Sequence, residues 1–263
     1  MAMKADASRA PVPAAHRRAF LLRRLHSLSG VFPVGVFLVM HLWTNAKGLG
    51  GQAAFDRAVQ DIHHLPFLPA IEVVGIFLPL AFHAFYGVKL ALSARPNVAS
   101  YPFARNWLYL VQRATGLLAF AFICWHLWEF RIQKLVGAMS PEAFYPTLSM
   151  RLSSTISGVP VLAIVYLAGI AASVIHFANG LVTFAFSWGL CVTRASQRTF
   201  AWTFAVLGLI VFAFGANTTL YFATGARLFG LAEGSDSSVP GSRCSVVDPP
   251  TALPPSAAKG AEK

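Results

Sequence analysis

The chain has 263 residues, of which 56% are hydrophobic and only 12% are charged. Soluble domains carry about 25% charged residues, so this composition excludes an ordinary water-soluble protein. It predicts a single all-α membrane domain surrounded by lipid, with no nucleic-acid partner.

Five apolar segments are long enough to cross a bilayer, which requires about 20 helical residues. We number them spans I to V, and the sequence predicts them at about 25–45, 71–92, 107–130, 156–190 and 200–222. Pro79 is expected to kink span II, because membrane helices tolerate proline. Span IV exceeds the bilayer thickness, and we expect it to tilt or to project into water at its C-terminal end.

The chain divides into three parts on composition. Residues 1–23 are polar and basic and are predicted to form a cytoplasmic arm. Residues 24–225 hold the five spans, and residues 226–263 are rich in Ser, Pro, Ala and Gly. Such a composition cannot bury enough apolar surface to fold, so this C-terminal tail is predicted to be disordered.

The charged residues predict the orientation of the spans. With a cytoplasmic N-terminus, the outer segments hold nine cations and nine acids. The inner segments then hold one acid, Asp6, and twelve cations: Lys4, Arg9, Arg17, Arg18, Arg23, Arg24, Lys89, Arg95, Arg105, Arg113, Arg194 and Arg198. The whole net charge of +11 therefore lies on the cytoplasmic face, as the positive-inside rule requires. This distribution predicts a cytoplasmic N-terminus and an external C-terminus.

Each of the first four spans carries one histidine, namely His41, His83, His126 and His176. An ionisable side chain inside a bilayer is costly, so it indicates a functional site. His-Leu-Trp occurs at both 41–43 and 126–128, and a second shared pattern begins with His83 and His176. Four unrelated histidines bonded to backbone would not be expected to show this regularity.

The depth of each histidine predicts how the four are paired. His41 lies 17 residues after Arg24, or roughly 25 Å of helix, and His126 lies 13 residues after Arg113, or roughly 20 Å. Both should lie in the outer half of the membrane, whereas His83 and His176 should lie near its middle or inner half. Diagonal helices of an up-down bundle run parallel. We therefore expect His41 to pair with His126, and His83 with His176.

Haem is the cofactor that suits two histidines at the same depth in the membrane. A zinc or iron site would need further protein ligands, and a proton relay would need carboxylates, of which these spans offer only Glu72 and Glu129. A haem needs two axial ligands, and bis-histidine iron suits electron transfer. The three cysteines lack the CxxCH spacing of c-type haem. The four spans are therefore predicted to enclose two stacked haems b.

Other residues could support these haems. Glycines near the histidines would let backbone approach a macrocycle, although simple helix packing explains them as well. Arg24, Arg113 and His26 lie at the inner ends of spans I and III and could pair with the propionates of the inner haem. The two arginines are explained equally well if their positive charge only sets the orientation of the spans in the membrane.

Four segments of the chain resemble a known family: Arg24-Leu-His-Ser-Leu-Ser-Gly30, Met40-His-Leu-Trp43, Gln112-Arg-Ala-Thr-Gly116 and His126-Leu-Trp128. They are similar to the five-helix, di-haem cytochrome b membrane anchor of succinate dehydrogenase and fumarate reductase, over roughly residues 20–225. The resemblance implies a proximal haem held by spans II and IV and a distal haem held by spans I and III. It also implies a bacterial inner membrane, a flavoprotein and an iron–sulfur subunit on the cytoplasmic face, and quinone, commonly menaquinone, as the redox partner.

Two alternatives remain open at this point. One is the cytochrome b subunit of a hydrogenase or formate dehydrogenase, and the other is a histidine-based transporter without haem. In each case the chain alone is not expected to oxidise succinate, since it lacks a flavin or iron–sulfur motif. The quinone site cannot be read from the sequence. Its candidates near the outer haem are Trp43, Asn45, Lys47, Glu72, Trp128 and Glu129.

Overall fold

The computed structural model describes residues 13–230. Residues 1–12 of the predicted arm 1–23 and residues 231–263 of the predicted tail 226–263 lie outside that range. Within it, five helices are long and apolar enough to cross a membrane, so the predicted number of spans is confirmed. They are Ala14–Gly50, Leu68–Leu92, Ala104–Leu135, Val161–Ser187 and Arg194–Thr224.

Span I is broken near its middle. An α-helix runs over Ala14–Val31 and a second over Val34–Ala46, followed by a 3₁₀ turn at Lys47–Gly50. Pro33 separates the two helices, because proline has no N–H to donate and its ring clashes with the preceding turn. The helix also starts earlier than the prediction of 25, so the end of the basic arm is helical.

Pro79 distorts span II, although the distortion lies before the proline itself. A π-helical turn occupies Ile71–Phe77, and regular α-helix follows over Leu78–Leu92. The proline ring cannot accommodate the carbonyl four residues upstream, so hydrogen bonds in the preceding turn change register. The sequence predicted a kink at Pro79, and the structure has a π-helical segment just before it.

The prediction for span IV, 156–190, is wrong at both ends. The helix covers Val161–Ser187. Gly158 and Gly189 both adopt positive φ, at 79° and 74°, and Pro160 immediately precedes the first turn. These residues stop a helix whatever the hydropathy of their neighbours, which is why an apolar window overestimates its length.

Span V begins with a complete capping box. The Thr193 hydroxyl accepts a hydrogen bond from the backbone N–H of Ser196 at 3.1 Å, and the Ser196 hydroxyl accepts one from the N–H of Thr193 at 3.1 Å. These two bonds provide acceptors for two N–H groups that have no partner within the helix. The helix ends at Gly225, whose φ of 77° forms a left-handed cap.

Spans I to IV form a ring. Span II packs on the first helix of span I and on span III, while span IV packs on span III and returns to span I. Spans I and III are therefore diagonal to each other, as are spans II and IV. Span V packs outside the ring, along span IV and the second helix of span I. Large apolar side chains such as Leu118 and Leu209 are exposed on the outer surfaces, as lipid contact requires.

Two loop helices, Gln52–His63 and Phe144–Ser153, cover one end of the ring. We call this the Glu129 end and the opposite end the Arg113 end. A buried cluster joins the loop helices to spans IV and V, formed by Phe55, Tyr145, Leu148, Leu152, Ala163, Tyr166 and Phe222. This cluster fixes the position of the loops over the interior of the bundle.

Candidate functional site

A cavity of about 1020 Å³ runs through the ring of spans I to IV. All four predicted histidines line it, together with many apolar side chains. Small-molecule pockets usually measure about 300–1,000 Å³, so this cavity lies at the upper end of that range. The structure thus brings the four histidines into one elongated interior space.

Within the cavity the histidines form two pairs. The ring centres of His83 and His176 are 6.1 Å apart, and those of His41 and His126 are 5.8 Å apart. Each pair joins diagonal spans, as the depth of the histidines predicts. An imidazole nitrogen lies about 2 Å from a metal that it binds, so two axial imidazoles on one iron have ring centres roughly 6 Å apart. Both pairs therefore have the separation that a bis-histidine haem needs.

Hydrogen bonds fix which ring nitrogen of His83 and His176 carries the proton, and the side-chain amide nitrogen of Gln112 also lies 3.4 Å from Nε2 of His176. Nδ1 of His83 lies 3.0 Å from the carbonyl oxygen of His26, and Nδ1 of His176 lies 2.9 Å from that of Gln112. A carbonyl can only accept, so Nδ1 carries the proton and donates. Nε2 is then the unprotonated nitrogen, which is the usual arrangement of a metal-binding histidine.

The other pair has different contacts. Nδ1 of His126 lies 3.4 Å from the hydroxyl of Tyr166. The His41 ring stacks on Phe37 with 5.3 Å between ring centres, and its Nε2 lies 3.4 Å from the amide nitrogen of Asn45. That amide also donates to the His41 carbonyl at 2.8 Å. Asn45 and Tyr166 are thus the neighbours that hold this pair.

Two glycines allow backbone to approach the histidine rings closely. A Cβ atom on Gly30 would overlap Cε1 of His83, and one on Gly116 would lie 2.7 Å from Cε1 of His176. Real Cβ atoms do not come so close to a ring. The sequence led us to expect glycines against a macrocycle, whereas the structure places these two against the histidines themselves.

The three residues considered for propionate contacts differ in their surroundings. Arg113 lines the cavity, and its Nε is buried with no hydrogen-bond partner among residues 13–230. His26 stacks on His83 with ring centres 4.2 Å apart, and its Nε2 is buried and likewise unbonded within the described chain. Arg24 instead lies over the rings of Phe20 and Trp188, 5.0 Å from each centre. Arg113 therefore retains an N–H donor for an anionic group, and His26 retains an unbonded ring nitrogen that can donate when it carries the proton.

Both acidic residues considered for the quinone site form ion pairs at the Glu129 end. Glu72 accepts from Arg131 at 2.6 Å, and the buried Glu129 is paired with Arg151. Of the six candidates, Asn45 and Glu72 line the cavity, while Trp43 and Trp128 are exposed in the way expected of interfacial tryptophans.

The partners of these residues could not be identified from the sequence. Arg131, Lys134 and His63 line the Glu129 end of the cavity, and the Lys134 ammonium contacts Nε2 of His63. Tyr166 and Gln112 contact histidines on neighbouring spans. A polar residue one or more turns from an intramembrane histidine is a weak signal. It gains meaning only when the packing of the helices is known.

Comparison with known proteins identifies the family. No protein-family model matches the chain. The succinate dehydrogenase cytochrome b558 subunit of Bacillus subtilis (strain 168) is 44% identical over 181 residues, which are 69% of this chain and 86% of that protein. Identity at this level over most of both chains confirms the family resemblance of the four sequence segments. The chain therefore belongs to the succinate dehydrogenase cytochrome b558 subunit family of transmembrane proteins.

Proposed function

We propose that this chain is the cytochrome b membrane anchor of a succinate dehydrogenase or fumarate reductase complex, with two bis-histidine haems b. The observation that carries this proposal is the pair of histidine separations, 5.8 and 6.1 Å, on the two diagonals of one cavity. When bound, such haems would supply one-electron transfer.

Particular residues of this chain would hold the two groups. His83 and His176 provide the ligands nearer the Arg113 end, and His41 and His126 those nearer the Glu129 end. The carbonyls of His26 and Gln112 accept the Nδ1 protons of the first pair, so Nε2 is the nitrogen that would bind a metal.

Propionates require cationic or hydrogen-bonding partners, and these lie at the Arg113 end. The buried Nε of Arg113 and the buried Nε2 of His26 both lack partners within the described residues. Either could donate to a carboxylate of the haem held by His83 and His176, and a charge-assisted bond from arginine is the stronger of the two. Arg24 is the weaker candidate, because its guanidinium lies over two aromatic rings.

The charge distribution supports an orientation in the bacterial inner membrane. The Arg113 end faces the cytoplasm, and the N-terminus lies on that side. The cationic surface there is a docking site for the iron–sulfur and flavoprotein subunits, since such a surface attracts acidic partners. Electrons then pass between the iron–sulfur subunit at the Arg113 end and quinone, commonly menaquinone, near the Glu129 end. Glu72 and Glu129 are ion-paired, so neither is assigned a proton-transfer role.

Purification of the chain from its native membrane in mild detergent tests this function. A flavoprotein and an iron–sulfur protein should co-purify in equal amounts with it, and the complex should show succinate-reducible haem absorption. A hydrogenase or formate dehydrogenase partner would contradict the assignment. Purification without haem would instead favour a histidine-based transporter.

Substitution of the two close-packed glycines should remove one haem selectively. In Gly30→Ala and Gly116→Ala the new methyl group displaces the ring of His83 or His176. We expect at least tenfold less of the haem held by that pair and near-normal amounts of the other, measured from extracted haem and difference spectra.

Gly75→Ala is the matched control for these variants. A Cβ on Gly75 would meet only Ile71, at 3.9 Å, so both haems should be retained. Equal loss of both haems in Gly30→Ala would argue for general misfolding and against a local effect on the ligand.

A further inference from the structure

His126 differs from His83 and His176 in the group that accepts its Nδ1 proton. His83 and His176 both donate to neutral backbone carbonyls, at 3.0 and 2.9 Å. His126 instead faces the hydroxyl of Tyr166, which donates to Oε2 of Glu129 at 3.1 Å. Within the second pair, His126 is thus connected through the Tyr166 side chain to a carboxylate.

The residues of this connection are buried and held in place. Tyr166 is 7% exposed and Glu129 is 6% exposed. The other carboxylate oxygen of Glu129 is paired with Arg151 from the loop helix Phe144–Ser153. Tyr166 belongs to the buried cluster beneath that helix. A chain of contacts therefore starts at the cavity histidine His126 and passes through Tyr166 and Glu129. It ends at Arg151, in a loop helix that covers the bundle.

A carboxylate at the end of such a chain changes the properties of the ligand. A hydroxyl whose own proton is held by a carboxylate is a better acceptor, because bonds in a chain polarise one another. Stronger withdrawal of the Nδ1 proton makes Nε2 more basic, as in carboxylate–histidine–metal triads. A more basic axial ligand favours the oxidised iron and lowers its reduction potential.

We propose that Tyr166 and Glu129 are positioning residues for His126 that lower the reduction potential of the haem held by His41 and His126, relative to that held by His83 and His176. This inference rests on the proposed function. It attributes the lower reduction potential of one haem to the side chains of Glu129 on span III and Tyr166 on span IV.

Potentiometric titration of the purified complex tests the inference, with each haem followed by its α-band and by electron paramagnetic resonance. Tyr166→Phe removes the acceptor and keeps the ring. We expect the equilibrium constant for reduction of the His41–His126 haem to rise about tenfold, or about 59 mV for one electron. The other haem should not change and serves as the internal reference.

Glu129→Gln keeps the polar shape and removes the charge, so a smaller shift of the same sign is expected. The double variant should have the same reduction potential as Tyr166→Phe alone, because the effect of Glu129 passes through the Tyr166 hydroxyl. Tyr145→Phe is the matched control, a phenol buried in the same cluster, and should leave both potentials unchanged.

Three results would overturn the inference: an unchanged potential in Tyr166→Phe, equal shifts of both haems, or an additive effect in the double variant, which indicates a through-space charge. If Tyr166→Phe loses the haem altogether, Glu129→Gln decides alone, and an unchanged potential there also overturns the inference. A wild-type complex without two haems would contradict the proposed function itself.

Discussion

Replacing either histidine of one pair with alanine should remove the same haem species. His83→Ala and His176→Ala should each lose the haem near the Arg113 end, while His41→Ala and His126→Ala should each lose a second, different species. Haem b has no covalent bond to the protein, so loss of one axial ligand from a buried site removes its main attachment. We expect at least a tenfold decrease in the affected species, measured in low-temperature reduced-minus-oxidised spectra.

His64→Ala is the control for these four variants, because His64 is exposed at the end of a loop helix. It should retain both species. If His83→Ala instead removed the same species as His41→Ala, the diagonal pairing would be wrong.

Membrane potential should change the rate of succinate oxidation by quinone in sealed vesicles. In the proposed orientation, electrons move from the cytoplasmic face toward the outer face, and each charge that crosses the membrane is worth about 2.3 kcal/mol per 100 mV. A potential that is negative on the cytoplasmic side favours this direction. An uncoupler should therefore slow electron flow from succinate to menaquinone and accelerate flow from menaquinol to fumarate.

A water-soluble dye that takes electrons directly from the flavoprotein or iron–sulfur partner provides the control, since those electrons do not cross the membrane. Its reduction should be indifferent to the uncoupler. Quinone activity that is equally indifferent would place the quinone on the cytoplasmic side and contradict the proposed path, without affecting the assignment of the histidines.

The number of spans and the positions of the four histidines could be predicted because both depend on strong constraints. A bilayer requires long apolar helices, and a buried histidine needs a partner. The diagonal pairs followed from helix rise and alternating direction, and the structure places His41 near His126 and His83 near His176. Local rules of this kind hold without knowledge of side-chain packing.

Helix ends and side-chain contacts could not be predicted in the same way. A hydropathy pattern does not show that Pro33 breaks span I. Nor does it show that span IV begins only after Gly158 and Pro160. The direction of a long side chain depends on its neighbours, so Arg24 reaches aromatic rings although its depth matched that of a propionate partner. The contact of Tyr166 with His126 joins residues 40 apart and depends on how two spans are rotated.

The haem count of the purified wild-type complex, with its electron paramagnetic resonance spectrum, shows whether four histidines of one chain hold two haems. We expect two haems b per copy of this chain, both low-spin, as two axial histidines require. One haem, no haem, or a high-spin signal from a five-coordinate iron in the untreated complex would contradict this expectation.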